Sequence, residues 1–523
     1  MTTTAPGAHT LFRWISDRAR MAPDSIAIED REAVLTYAEL YARASDTADG
    51  LVAAGYGRGD RVVTISGNSA DQIVAFFACA RLGMTLVPLM WRLTPFELAD
   101  QIERSAPQLI VIEEEYAELA AQAVERVNTT EPALLISFAE LTSPPARPSG
   151  TPPLAGPAQD DDPILVIFTS GSSGKPKAAP LTQANCFWNN LSFSRTIPMT
   201  DTDVLLAFLP QFHSGGWNIQ TLLAFWVGAT VVLERAFDPG RVLSLIGSRG
   251  ITTMIGVPAT YQMLAAHPDF ADTDLSSLGT VVVGGGTLPV PQLQLFHERG
   301  VQLCQGYGLT EASPNVLCLP ARDALAKQGS AGKPYPYVDC AVADPTTHEL
   351  LAGEATGELL VSGPGVFPGY LDDPEATAKT MHGDWLLTGD MVHRDEDGFY
   401  FIVDRIKDMY KSGGENVSPT EVEDVLRLHE AVEQVAVVGV PDERWGEVGK
   451  AFVVLREGAE TDEATLCTHC AERLARFKVP KSVEFVAELP YNALNKVRRF
   501  RLRDDEADRH EEGTELPAGE EDG

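Results

Sequence analysis

Cysteine, positive charge and long apolar runs are all scarce in this chain, and each scarcity removes a class of protein. Seven cysteines are scattered over 523 residues. No disulfide framework of a secreted scaffold is implied, and a reducing, cytoplasmic setting is expected. The N-terminal MTTTAPGAHTLFRWISDRAR also lacks the apolar centre of a secretory leader. Lys and Arg number 41 against 74 Asp and Glu, a formal charge of −33 with an isoelectric point near 4.6. A field of that sign repels phosphate backbones and anionic headgroups, which excludes a general nucleic-acid or membrane-surface binder. An anionic ligand must then find a local cluster of cations. The longest apolar stretch, LLAFWVGATVVL from Leu222 to Leu233, is far shorter than the roughly 20 residues of a membrane-spanning helix, so no stable membrane insertion is expected. No internal repeat is present. CTHC, Cys467 to Cys470, has metal-site spacing, but no second CxxC or HxxxH completes a tetrahedral shell. Its helical periodicity instead makes the two cysteines small core-facing residues.

What the chain does have is alternation. From Arg61 to about Leu303, short β-rich runs precede longer amphipathic ones: RVVTIS then ADQIVAFFACARLG, GATVVLE then PGRVLSLIGSRG, GTVVVGGG then LPVPQLQLFHERG. This pattern predicts an α/β fold of stacked βαβ units with largely parallel sheets. Ligands of such folds gather at the carboxyl ends of strands, where FTSGSSGKPK, VVVGGGTLP and CQGYGLTE fall. The proline-rich TSPPARPSGTPPLAGPAQDDDP reads as an exposed excursion. After Gly332, short strands with Gly and Pro turns take over. A pattern of helix, two strands, helix and strand then predicts a separate α+β domain of roughly 100 residues. The acidic end, residues 504–523, is expected to be a disordered tail.

In PILVIFTSGSSGKPKAAPLT, Pro163 to Thr182, a buried strand leads into hydroxyls and unobstructed amides, which suits an anion. The spacing is not GxxxxGK[ST], and Pro176 follows Lys175 where a P-loop would enter its helix, so a Walker-type nucleotidase is disfavoured. Taken alone, such a loop is a turn or linker more often than a nucleotide site.

Seven motifs in order change that reading: FTSGSSGKPK, LPQFHSGG, VVVGGGTLP, YGLTEASP, TGD, DRIKDMYKSGGENVSPTEVE and LPYNALNKV. Through them, from about Leu35 to Phe500, the chain resembles the adenylate-forming superfamily of acyl-CoA synthetases, firefly luciferase and the adenylation domains of nonribosomal peptide synthetases. The resemblance implies a large N-terminal domain over 1–403, in which a distorted β-barrel joins the stacked sheets, and a small mobile C-terminal domain over 404–503.

It also implies a role for each matching residue. Thr169, Ser170, Gly171, Ser172, Ser173, Gly174, Lys175 and Lys177 would hold the β- and γ-phosphates of ATP. Thr310 would contact phosphate and Glu311 would hold Mg2+. Adenine would lie between Tyr307 and the backbone of Gly284, Gly285 and Gly286, beside Gln305, Gly306 and Gly308, while Asp390 and Arg405 would take the ribose. Lys496, by itself an ordinary surface lysine, would neutralise the charge that develops when a carboxylate attacks the α-phosphorus. Asp404 would be a hinge, and Lys411, Gly413 and Gly414 would line the CoA pantetheine path. His213 would be an aromatic gate to an acyl pocket built from Trp217, Asn218, Ile255, Gly284, Gly285 and Gly306, open to an alkyl or an aryl acid. The chain departs from its relatives at Ser172 and Ser173 for threonines, at Gln183 for histidine and at Asn495 for glycine.

The implied activity is ATP-dependent activation of a carboxylic acid through an acyl-adenylate, followed by transfer to CoA, in a monomer or homodimer. A second reading delivers the acyl group to an amine, a carrier-protein thiol or another small nucleophile; a third is an inert nucleotide-binding protein. Carboxylate-dependent pyrophosphate exchange separates the third from the others, and a CoA thioester separates the first from the second.

Overall fold

The computed structural model describes residues 5–31, 33–128, 133–148, 150–169, 176–406, 408–412, 415–442, 445–491, 497–499 and 501–503. The chain divides into two compact units: residues 1–341 with 360–388 and 394–401, and residues 342–359 with 389–393 and 402–523.

Two sheets organise the first unit. One runs Leu134–Ser137, Leu109–Ile112, Arg61–Ile65, Thr85–Leu89, Pro163–Thr169, Lys177–Thr182. The other has nine strands, in which Thr253–Gly256, Thr280–Val283 and Gln302–Gly308 lie side by side and parallel. The predicted strand and helix alternation is present, with helices Ala70–Leu82, Pro239–Arg249 and Val290–Glu298 where the periodicity puts them. Val63, Val87, Ile110 and Val166 form one core with Leu98 and Ile102 of helix Pro95–Ser105. Val281, Leu303, Met254 and Tyr261 belong to another.

Antiparallel pairing enters these sheets at several places, and two of them matter for the site. Pro163–Thr169 pairs antiparallel with Lys177–Thr182, ending on the pair Thr169 and Lys177. Gln302–Gly308 pairs antiparallel with Asn315–Leu319, ending on Gly308 and Asn315. Only seven and six residues separate these strands, whereas a parallel crossover needs about a dozen. Both motifs therefore sit on hairpin ends.

The proline-rich excursion is largely exposed, as expected, but it is tied down. Arg147 forks onto the buried Asp60 at 2.8 and 2.9 Å, and Arg58 grips Asp162. Composition does not reveal pairings 87 and 104 residues apart.

A further sheet runs Leu350–Leu351, Asp339–Ala343, Ala355–Ser362, Trp385–Arg394, Met381–His382, with Tyr400–Arg405 pairing Trp385–Arg394. In the second unit, Glu415–Val417, Tyr410–Ser412, Gly446–Leu455 and Val432–Asp442 form a sheet that Ser482–Phe485 joins in parallel. Helices Pro419–Arg427 and Glu463–Ala471 pack on it. Cys470 is fully buried in that core and Cys467 packs against it, so CTHC is two core residues on one helix face. Among the described residues no cluster of three metal-ligating side chains occurs, and no helix is long and apolar enough to cross a membrane. The tail at 504–523 lies outside the described residues.

Candidate functional site

The strand ends of the first unit converge on one carboxylate. Thr169, the last residue before the Ser/Gly loop, donates from Oγ1 to Glu311 Oε1 at 3.3 Å. Glu311 sits in a 3-10 turn, Thr310–Ala312, that follows strand Gln302–Gly308. Its neighbour Thr310 exchanges a 3.0 Å hydrogen bond with Ser214, the first residue of helix Ser214–Asn218. Lys177, paired across the hairpin with Thr169, places its ammonium over the Tyr370 ring, 4.8 Å from the centroid. Hydroxyls, a carboxylate and a lysine thus gather where the sequence motifs end. The hydroxyl and carboxylate oxygens among them are of the kind a hard cation takes.

Gly308 explains why this turn needs glycine. A Cβ there would stand 1.6 Å from the Pro314 carbonyl oxygen, and backbone cannot move aside as a flexible side chain can. The turn is also held from behind. Asn189 accepts from Asn315 N at 3.0 Å, Asn190 Nδ2 donates to Asn218 Oδ1 at 2.5 Å, and Asn218 Nδ2 donates to the Ser313 carbonyl.

At the carboxyl ends of the three parallel strands, Gly284, Gly285 and Gly286 leave room. Cβ atoms there would meet nothing closer than 3.3 Å, the nearest being Pro258, and Gly285 takes φ +74°. Gln305 fixes this loop, donating to Gly286 O at 2.6 Å and accepting from Leu288 N at 3.2 Å. Gly306, Tyr307 and Gly308 continue the neighbouring strand, Val283 standing opposite Gln305. The result is a flat, side-chain-free wall beside a tyrosine. Gln305→Leu removes both clamps, worth about 1 kcal/mol each, and should weaken ATP binding about tenfold by calorimetry on the whole protein. Unchanged affinity would remove Gln305 from the site.

The acyl-pocket residues divide. Ile255 stands at the end of its strand next to Gly284, and His213 precedes helix Ser214–Asn218 with its ring edge-on to Phe212 at 4.8 Å. Trp217 and Asn218 have no exposed surface at all. The Trp217 ring stacks on Phe76 and its Nε1 donates to the Gln211 carbonyl, while Asn218 holds the Ser313 turn. In this structure these two back the site and do not line it. Gln183 is likewise internal, bonded to Leu11 N and Ala80 O, so its departure from histidine touches nothing in the site.

In the second unit Asp390 and Arg405 are already together. Arg405 Nε lies 2.6 Å from the buried Asp390 Oδ1, Gly389 N donates to Glu358 and Ile406 N to Gly389 O. Burial pushes the Glu358 carboxyl up. Asp404 is an anchor: its carboxylate accepts from Arg405 N at 2.7 Å, Ser418 Oγ at 2.6 Å and Thr420 N at 3.1 Å, so it supports the N-terminus of helix Pro419–Arg427. Ser170, Gly171, Ser172, Ser173, Gly174, Lys175, Gly413, Gly414 and Lys496 lie outside the described residues, and of Lys411 only the backbone is described, in strand Tyr410–Ser412. The chain on either side of 492–496 is held. Tyr491 pairs with Val497, Arg498 N donates to Pro490 O at 2.7 Å, and Arg499 forks onto the buried Glu423 at 2.7 and 2.9 Å.

Sequence reasoning missed Tyr370, Ser214, the asparagines of helix Gln183–Ser194 and the Glu423–Arg499 pair. The asparagines carried a signal: with Gln183 they put four amides into QANCFWNNLSFS beside its apolar residues, and amides inside a packed helix need buried partners.

Comparison with known proteins agrees with this geometry. The family model described as AMP-binding enzyme matches residues 15–371, and that of the AMP-binding enzyme C-terminal domain matches 421–496. A feruloyl-CoA synthase from Amycolatopsis sp is 40% identical over 493 residues, covering 94% of this chain and 98% of the relative. An indoleacetate–CoA ligase from Aromatoleum aromaticum is 37% identical over 500 residues, covering 94% and 97%. The solved o-succinylbenzoate CoA synthetase of Bacillus subtilis, in complex with its acyl-adenylate intermediate, superposes with a TM-score of 0.84 at 30% identity, covering 94% of this chain and 98% of that one. The same enzyme is known with ATP and a magnesium ion.

Proposed function

The chain belongs to the AMP-binding enzyme family, and from that premise we propose that it is an AMP-forming acid–CoA ligase acting on an aromatic carboxylic acid. ATP, Mg2+ and CoA are its co-substrates and cofactor. In the first half-reaction a carboxylate oxygen bonds to the α-phosphorus of ATP and the bond to pyrophosphate breaks, leaving an acyl-adenylate. In the second, the CoA sulfur bonds to the acyl carbon, AMP leaves with the electron pair, and the thiol proton goes to solvent. The leaving group is good enough that no histidine base is required.

The observation that carries this reading is the gathering of Thr169, Lys177, Thr310 and Glu311 in one compact unit, in a protein otherwise hostile to anions. The loop from Thr169 to Lys177 receives the β- and γ-phosphates, Thr310 donates to phosphate, and Glu311 supplies an oxygen to magnesium, which when bound offsets the charge of the triphosphate. Tyr307 and the Gly284–Gly286 wall sandwich the flat adenine. Asp390 accepts from the ribose diol, with Arg405 holding its carboxylate. Lys496 neutralises the charge developing at the α-phosphate. The division of the chain at 401/402 supports Asp404 as the hinge, after which 411–414 would face the pantetheine arm. Ile255, Gly306 and His213 bound the acid's ring. The choice of an aryl acid is supported by the feruloyl and indoleacetate relatives. A cytoplasmic monomer or homodimer fits the reduced cysteines and the acidic surface.

The test is pyrophosphate release from the whole protein with benzoic, cinnamic, indoleacetic and fatty acids, with and without CoA. An aromatic acid should be turned over at least tenfold faster than any fatty acid and yield a CoA thioester. A fatty-acid preference overturns the substrate class; adenylation without thioester overturns the acceptor.

A further inference from the structure

The segment 364–371 crosses both halves of the phosphate-facing site. Phe367 N donates to the Glu311 carbonyl and Leu371 N to the Ala178 carbonyl, each at 2.9 Å, so one short stretch of backbone is fastened to the Thr310 turn and to the lysine side of the Ser/Gly hairpin. Asn185 adds bonds to the Pro364 and Val366 carbonyls. Gly369, at φ +123°, turns the chain against Thr377, whose Oγ1 accepts from Tyr370 N at 2.9 Å.

What this bracing delivers is the Tyr370 side chain. Its hydroxyl donates to Glu311 Oε1 at 2.7 Å, the same oxygen that Thr169 approaches at 3.3 Å. Its ring face carries the Lys177 ammonium at 4.8 Å and its edge meets Phe367. Two hydroxyls on one carboxylate oxygen fix the plane of the group, and with it the direction of the second oxygen. Magnesium demands near-octahedral geometry at short range, so an oxygen turned away binds it poorly. Outer partners that orient a ligand commonly change metal affinity by 10–100-fold.

We infer that Tyr370 is a positioning residue that sets Glu311 for the divalent cation and Lys177 for the phosphates, coupling the two through a single side chain. The inference rests on the proposed role of Glu311 and deepens it. Tyr370→Phe keeps the ring, its packing and the lysine contact, and deletes only the hydroxyl. At fixed ATP and acid, its half-saturating Mg2+ for pyrophosphate release should rise about tenfold, with a smaller change in kcat and none in the acid's KM. The magnesium midpoint of the ATP-dependent thermal shift should rise in parallel, a readout independent of turnover. Tyr370→Leu, which also removes the lysine's platform, should in addition raise the KM for ATP.

Glu311→Gln is the control. If it titrates with magnesium like the wild type, the role of Glu311 is overturned and the inference goes with it. If it loses its magnesium response while Tyr370→Phe keeps the wild-type midpoint, the role of Tyr370 alone is overturned. A Tyr370→Phe protein with lowered Tm and kcat but an unmoved magnesium midpoint has a merely structural tyrosine, which also overturns the inference.

Discussion

Replacing Lys496 with alanine is expected to slow acyl-adenylate formation by about two orders of magnitude or more, the scale on which a single positioned charge acts on a developing anion. Two anions meet in the first half-reaction, a carboxylate and a triphosphate, in a protein whose own charge is −33. The loss should be selective. Thioester formation from a supplied acyl-adenylate needs no cation at the α-phosphorus and should proceed within a few-fold of the wild-type rate. Rapid-quench measurement of the two half-reactions separates these outcomes, and pyrophosphate release at the wild-type rate in the variant would refute the assignment.

Arg499→Met is expected to destabilise the second unit by about 3 kcal/mol, the range found when one partner of a buried ion pair is removed. Glu423 is 2% exposed and accepts from Arg499, from Arg427 at 3.1 Å and from Val437 N at 2.8 Å. Arg499 also faces Asp408, to which Arg503 is bonded at 2.7 Å. With Arg499 gone, a carboxylate inside the sheet and helix packing keeps only part of its compensation. Because Arg499 follows Lys496 by three positions, the variant should also lose adenylation more than thioester formation at temperatures where it remains folded. Denaturant unfolding of Arg499→Met beside the pair-removing Glu423→Leu/Arg499→Met double variant gives the measurement. If the double variant is no more stable than the single one, the penalty does not come from the stranded Glu423 charge.

The contrast between these two residues shows what could be read from the chain. Lys496 is found by its place at the end of seven ordered motifs, though alone it is one lysine near an acidic tail. Arg499 stands in a run of arginines and its partner lies 76 positions earlier, a pairing that no local periodicity encodes. The same holds within the site. The strand that carries Thr169 was legible because burial on both faces writes a continuous apolar run, whereas the one that carries Tyr307, QLCQGYG, is only partly buried and shows none. That the first ends in a hairpin depended on counting loop residues against the length of a crossover. Tyr370 sits in a Gly/Pro turn, 59 residues from the Glu311 it touches, and nothing about FPGYL announces a functional hydroxyl. Trp217 and Asn218 were placed by motif on a pocket wall, but motif position does not say which way a side chain turns. The stacking partner Phe76 and the carbonyl of Ser313 decided that.

The seven cysteines are all free, and five of them are buried. Loss of hydration raises the thiols of Cys79 and Cys318 to about 12 and that of Cys470 to about 11, and the half-exposed Cys467 is raised as well. Only thiolates attack disulfides. A catalyst that handles a free thiol as co-substrate lives beside the oxidised form of that same molecule, and this one offers it almost no reactive sulfur with which to exchange. Burial of five of the seven thiols keeps most of the protein's sulfur out of reach of that disulfide.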